Sequence, residues 1–349
     1  MNYWIKRAAI LCVSVALCSL ISHGAIRWLG IKHGHSGYQP YGGNGTKPTA
    51  ILYCSSLGYD GIDWGRVSEV LQGTIESWAT PGSSPSEWEA DDRRSAGVGQ
   101  AFIAVSPPDM NEYILCDTRA EIVPLGMAIR DLWNSDVDWE LSKRILGQYP
   151  LMVVRALFPT VGRSDGVLVG IRAKLGALRG GPANADVGDA PKFGSTAASE
   201  ITEKVSDWSP GRLQRRMVLM HEACQSKYSF NGPKALALRR LLQRAASQGQ
   251  VTMAVMPVSP FYQEEFLSPH VKEEFERVLV KLQNEYPQIK LIRLDSIPTL
   301  DDNKMYYDLV HLNMYGQKIA SAVFLDRMRE YTGPQRVLSP SNTTILSKK

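Results

Sequence analysis

Short apolar runs recur along this chain, and nearly every one is followed by a stretch with helical spacing. Ala50 to Tyr53, Thr74 to Ala79, Ala101 to Val105, Val251 to Met256 and Ile289 to Leu294 have the length and content of strands. Among and after them, Asp63 to Leu71, Ile122 to Leu132, Arg212 to Cys224, Pro233 to Ala246, Val271 to Glu285 and Gly316 to Tyr331 have helical spacing, and the acidic Ser86 to Arg94 fits a helix opened by Ser84 or Ser86 with acids in its first turn. Strands that are apolar on both faces need helices above and below them. The expected fold is therefore α/β, a parallel sheet flanked by helices on both faces. In such folds ligand chemistry gathers at the carboxyl ends of the strands. Ser56, Gly82, Asn111 and Ser259 all follow expected strand ends, and Asp308 and His311 lie between the last strand and the last helix.

The alternation reads as one domain over residues 49–332, interrupted at about 139–200, with a disordered tail at 333–349. At 349 residues and 44% hydrophobic content the chain can bury a proper core. Inside the interruption, Leu151 to Phe158 and Val167 to Leu175 are apolar with basic residues interleaved. Such helices either pack on the core or lie on a membrane surface. Arg179 to Ser199 is rich in Gly, Ala and Pro without periodicity, the pattern of a flexible insertion. A net charge of +4 with scattered basic residues gives no case for nucleic acid. Five cysteines without metal-ligand spacing exclude a disulfide scaffold, and no His/Asp/Glu cluster suggests a metal or calls for a cofactor.

The first thirty residues bear on location. Lys6-Arg7 precedes Ala8 to Ile21, an uncharged apolar run shorter than the ~20 residues that span a bilayer. Extended through Ser22 to Gly24 it reaches Trp28, which suits an uncleaved signal anchor. A cleaved signal peptide is the rival reading, although no clean small-x-small site follows the run. A Gly-, His- and Tyr-rich linker, residues 31–48, separates this segment from the rest. Either reading exports the domain to the extracytoplasmic side.

Two motifs at opposite ends of the domain carry the chemistry. Thr49-Ala50-Ile51-Leu52-Tyr53 runs into Cys54-Ser55-Ser56-Leu57-Gly58, and Asp308-Leu309-Val310-His311 is followed by Leu312-Asn313. A hydroxyl is a poor nucleophile until a base takes its proton, and a histidine oriented by a carboxylate is the usual base. A strand-end serine also serves to cap the next helix.

In these blocks the chain resembles the SGNH, or GDSL-like, hydrolase superfamily, over roughly Thr49 to Glu330 without the interruption. The resemblance implies a flavodoxin-like three-layer sheet and esterase, lipase, thioesterase or carbohydrate O-acyl transfer activity. It implies Ser56 as nucleophile, with Cys54 standing where glycine is usual, and Asp308 and His311 as its partners. Thr80-Pro81-Gly82-Ser83-Ser84-Pro85 matches the second block, which makes Gly82 an oxyanion-hole donor beside the Ser56 amide. Pro107-Pro108-Asp109-Met110-Asn111-Glu112 stands where a Gly-x-Asn-Asp motif is usual, and implies the Asn111 side chain as a third donor. The function expected by this resemblance is a membrane-anchored serine esterase or O-acyltransferase. Its partners would be an acylated carbohydrate or other ester of the cell envelope, the membrane, and polysaccharide-assembly proteins. Two alternatives stand beside it: a non-catalytic SGNH-like glycan-binding or assembly protein, and a membrane-surface lipase or thioesterase.

Overall fold

A computed structural model of the chain describes residues 2–29, 48–77, 82–92, 99–115, 123–158, 200–223 and 227–332. The expected linker apart from Pro48, Val167 to Leu175, the Arg179 to Ser199 stretch and the tail lie outside these residues.

Five strands form where the apolar runs stand: β1 Ala50–Cys54, β2 Ile75–Ser77, β3 Gln100–Val105, β4 Gln250–Val255 and β5 Lys290–Arg293. All pairings are parallel and the order across the sheet is β2-β1-β3-β4-β5. Cys54 pairs with Ala104, Val105 with Val255 and Val255 with Arg293, so the carboxyl ends line up along one rim. The order reverses at β1, where the chain goes first to one side and then to the other. In open α/β sheets ligands bind beside such a reversal, here at the carboxyl ends of β1 and β3.

Alternation along each strand feeds two cores. Leu52 and Cys54 face one cluster, Ile51 and Tyr53 the other. The first cluster is covered by α2 Ser56–Gly61, α3 Trp64–Leu71 and a C-terminal helix, Met314–Thr332. Trp64, Phe102 and Phe324 meet there, with ring centroids 5.5 to 6.1 Å apart. The second cluster is covered by the helices Pro233–Gln248 and Pro269–Glu285, through Leu238, Leu241, Leu279 and Leu282. The chain is thus α/β with its sheet covered on both faces.

The remaining helices, in chain order, are α1 Asn2–Leu29, which precedes α2, and then α4 Pro85–Asp92, α5 Pro107–Met110, α6 Leu125–Trp133, α7 Trp139–Gly147 and α8 Tyr149–Leu157. There follow α9 Pro210–Glu222, α10 Pro233–Gln248, α11 Pro260–Phe266, α12 Pro269–Glu285 and α13 Met314–Thr332. Local sequence fixes many starts. Asp63, Ser209, Ser259 and Ser268 each accept the N–H three residues on, and prolines open α9, α11 and α12. The short helices α2, α5 and α11 were not legible from periodicity, being only one or two turns long. All three begin just beyond a strand end, and that is where they matter. The 28-residue α1 measures about 42 Å, but among the described residues no helix is long and apolar enough to cross a membrane.

Candidate active site

At the end of β1 the chain turns straight into α2, and the two serines of the junction divide the work. Ser55 caps the helix: its Oγ accepts the Leu57 N–H at 3.2 Å, and the residue is sealed from solvent. Its side chain is also bonded to the buried Asp109 carboxylate. Ser56, the first residue of the helix, is half-buried and points elsewhere. Its Oγ lies 2.9 Å from Nε2 of His311, across 255 residues of chain. So tight a turn depends on Gly58, where an added Cβ would lie 2.5 Å from that of Ala104 and 2.7 Å from that of Cys54. Cys54 fills the space that a glycine would leave open, and Gly58 gives it back. Burial, with the charges of Asp109 and Asp60 adding to it, pushes the Cys54 thiol well up. The sulfur is therefore held as the unreactive protonated thiol.

His311 sits in a loop that its own residues pin. Asp308 Oδ1 accepts the N–H groups of Val310 and His311 at 2.8 and 2.7 Å. The Nδ1 of His311 lies 3.0 and 2.9 Å from the two carboxylate oxygens. With the Nδ1 proton held there, Nε2 presents its lone pair to the Ser56 hydroxyl. Tyr307 stacks on the imidazole, centroids 5.3 Å apart and planes within 11°. Neighbouring segments clamp the loop: Ser259 donates to Leu309 O through Oγ at 2.7 Å, and Val205 donates to Tyr306 O at 2.7 Å. Asn313 ties its far end, donating to Glu203 O and Lys304 O and accepting the N–H of Gly316. The segment 201–208, which carried no sequence signal, is one brace of this loop.

Electrostatics follow the geometry. Burial raises the Asp308 pKa, but the His311 charge, their hydrogen bond and the two backbone N–H groups hold it at about 2. For His311 burial opposes the proton. The charge and hydrogen bond of Asp308, and then the charge of Asp60, outweigh that and raise its pKa, against a smaller effect of Arg216. Asp60 was not singled out from sequence. It shares the half-exposed face of α2 with Ser56, four residues away, and an i,i+4 pairing with a strand-end serine is the signal that could have found it. Burial pushes Asp60 up to about 6, with His311 opposing and Asp308 adding.

The second block behaves as a turn fastened to the same place. Gly82 has φ 68°, a left-handed conformation that favours glycine, and Ser83 Oγ donates to Cys54 O at 3.2 Å. Thr80 and Pro81 lie outside the described residues. The third block is different. Ser106 and Asp109 occupy the end of β3, with Ser106 Oγ donating to Asp109 Oδ2 at 2.7 Å. The helix α5 then carries Asn111 one turn beyond the strand end, fully buried. Its carboxamide donates to Lys227 O at 2.7 Å and accepts the Tyr113 N–H at 3.1 Å. The structure therefore uses Asn111 to brace backbone: the side chain expected as an oxyanion donor is fully buried and bonded to Lys227 O and the Tyr113 N–H. Among the described residues no group of three or more His, Cys, Asp or Glu side chains is placed to hold a metal ion.

The serine, imidazole and carboxylate thus form an unbroken set of contacts at the rim of the sheet, beside the strand-order reversal. Its chemical capacity is proton transfer from a hydroxyl to a neutral imidazole whose cationic form is stabilised behind it. No protein-family model and no curated protein matches the chain. A solved crystal structure that it resembles covers 81% of this chain and 96% of its own, at 8% identity and a TM-score of 0.34.

Proposed function

We propose that the protein is a serine hydrolase or O-acyltransferase of SGNH type that acts on esters through an acyl-serine intermediate. The observation that carries this reading is the 2.9 Å contact of Ser56 Oγ with His311 Nε2, backed by Asp308 on Nδ1. Ser56 Oγ attacks the ester carbonyl carbon while its proton passes to His311 Nε2. The carbon–oxygen bond to the alcohol breaks, and that alcohol leaves with the proton from the imidazolium. Water or a sugar hydroxyl then repeats the sequence in reverse, giving hydrolysis or transfer. The amides of Ser56 and Gly82 are the donors assigned to the oxyanion; loss of one such donor typically costs ~10²–10³ in turnover. The flavodoxin-like strand order agrees with this family reading.

The substrate assigned is an acylated carbohydrate of the cell envelope, with the domain exported through residues 1–30 as anchor or leader. Protease treatment of intact and opened cells tests the location: digestion of the domain only after the cytoplasm is opened would refute export. The catalytic half is tested with a serine-directed fluorophosphonate. Wild-type protein should be labelled on Ser56, and Ser56→Ala and His311→Ala proteins should not. Full labelling of Ser56→Ala would end the assignment.

A second reading, a non-catalytic glycan-binding or assembly protein, is favoured by the commitment of Asn111 to Lys227 and Tyr113. It expects folded wild-type protein with no labelling at all.

A further inference from the structure

The loop that carries His311 is closed like a small hairpin. Tyr306 and Leu312 form an antiparallel bridge, flanked by the Tyr307 N–H donating to His311 O at 3.0 Å and the Asn313 N–H donating to Met305 O at 2.9 Å. In that register Tyr307 stands opposite His311, and Asp308, Leu309 and Val310 form the tip. Side chains alternate between the faces of such a pair. Tyr306 and Leu312 turn into the core, and the Tyr306 hydroxyl donates to Leu300 O at 2.9 Å. Tyr307 and His311 are left together on the rim side, both half-buried, with their rings stacked at 5.3 Å and nearly parallel. Both imidazole nitrogens are engaged, Nε2 with Ser56 and Nδ1 with Asp308, so the plane of the ring is what remains to be held. The Tyr307 hydroxyl makes no hydrogen bond among the described residues, so its ring is the part the site uses.

We infer that Tyr307 is a positioning residue of the reaction: its ring keeps the imidazole in the plane that joins Ser56 to Asp308, and its π-face stabilises the imidazolium. This rests on the function proposed above and concerns the same site. The imidazole becomes cationic when Nε2 takes the Ser56 proton and neutral again when the leaving alcohol takes that proton. The ring therefore favours the state between the two transfers. The charges that act on His311 besides this are those of Asp308 in its own loop, Asp60 of α2 and Arg216 of α9. The clamping contacts come from Ser259, Val205 and Asn313, which are uncharged. Burial, with the charges of Asp308 and Asp60, pushes the Tyr307 hydroxyl up, so the ring stays neutral while His311 titrates.

The experiment follows the carbon-bound imidazole protons of His311 by NMR of the full chain, assigned by their loss in His311→Ala, beside the pH profile of ester turnover. In Tyr307→Leu, which keeps apolar cover without a π-face, the His311 pKa should fall by about half a unit, and the acid limb of kcat/KM should move to lower pH with it. On the plateau kcat/KM should fall about three- to tenfold, with kcat carrying the loss. Tyr307→Phe keeps the ring and should hold kcat/KM within about twofold of wild type. Pentafluorophenylalanine installed at position 307 keeps that shape but reverses the charge of the face, and should lower the His311 pKa below its value in Tyr307→Phe. Should Tyr307→Leu fail to fold, this isosteric pair decides alone. Equal His311 pKa values in the pair, or a loss in Tyr307→Phe as large as in Tyr307→Leu, overturns the inference while leaving the esterase reading intact. If the wild type turns over no ester and takes no fluorophosphonate label, the proposed function fails, and the titrations still decide whether the Tyr307 ring acts on His311.

Discussion

Adjacent serines of one dipeptide enter two polar clusters of opposite character. Ser56 joins His311 and Asp308, whose side chains keep 18% and 15% exposure, and the chain of contacts ends on a hydroxyl open to the rim. Ser55 joins Asp109 and Ser106, sealed behind α2 and α5, with the ammonium of Lys234 nearby but bonded to Asn111 O and Ile114 O at 2.7 Å. Both clusters contain a carboxylate with little access to solvent, yet one is held at about 2 and the other pushed up to about 6. The difference lies in what touches the acid. Asp308 has an imidazolium and two backbone N–H groups, enough to outweigh burial. Asp109 has hydroxyls and a cation that is shared out to carbonyls, and burial wins. Composition alone does not distinguish a relay from a strut; donor type and exposure do.

The largest effect that separates the two is on turnover. Ser56→Ala and His311→Ala should each lower kcat/KM for a good ester by about 10³-fold or more, by analogy with other serine–histidine relays. Their stability should stay within about 1 kcal/mol of wild type, because both side chains are partly hydrated. A loss below tenfold in both variants would place the chemistry elsewhere.

The strut should answer in the opposite way. Lys234→Met keeps the length of the buried stem but strips two carbonyls of their donor and leaves Asp109 without its cation. Urea unfolding should show a loss of about 2–4 kcal/mol. Protein that remains folded at low temperature should still label on Ser56. A stability change under about 0.5 kcal/mol would mean that the cluster is solvated after all.

The sequence made the sheet legible because its strands are buried on both faces, so Ala50 to Tyr53 and Val251 to Met256 stand out without any partner in view. The relay was legible because its members are reactive residue types next to strand ends, and Asp308 and His311 share one loop. What was hidden follows from physics that acts across the chain. Asn111 sits at the right distance after β3 in sequence, but α5 intervenes, and a four-residue helix opened by two prolines leaves no periodic trace. Gly58 is required by a contact with Ala104 that only the folded sheet creates. Asp60 and Arg216 owe their significance to a histidine that lies respectively 251 and 95 positions further along the chain.

The finest test of the comparison concerns the sign of charge around His311. The charges that act on the imidazole are those of Asp308 on Nδ1, Asp60 of α2 and Arg216 of α9, and the Tyr307 ring is stacked on it. Nucleophile activation needs the neutral imidazole, so kcat/KM should rise with pH through the histidine pKa. Because that pKa is raised, the acid limb should lie above the ordinary histidine value of about 6.5. Asp60, titrating at about 6, is ionised over that limb and favours the imidazolium. Asp60→Asn removes that attraction, so the limb should move to lower pH by a fraction of a unit. The plateau at high pH should change less than about threefold. Arg216→Gln removes the opposing charge and should move the limb the other way. Opposite displacements measured on a neutral ester would show that the two charges act through His311 itself. A limb that stays fixed in both variants would mean that solvent screens them, and that the relay is governed by Asp308 alone.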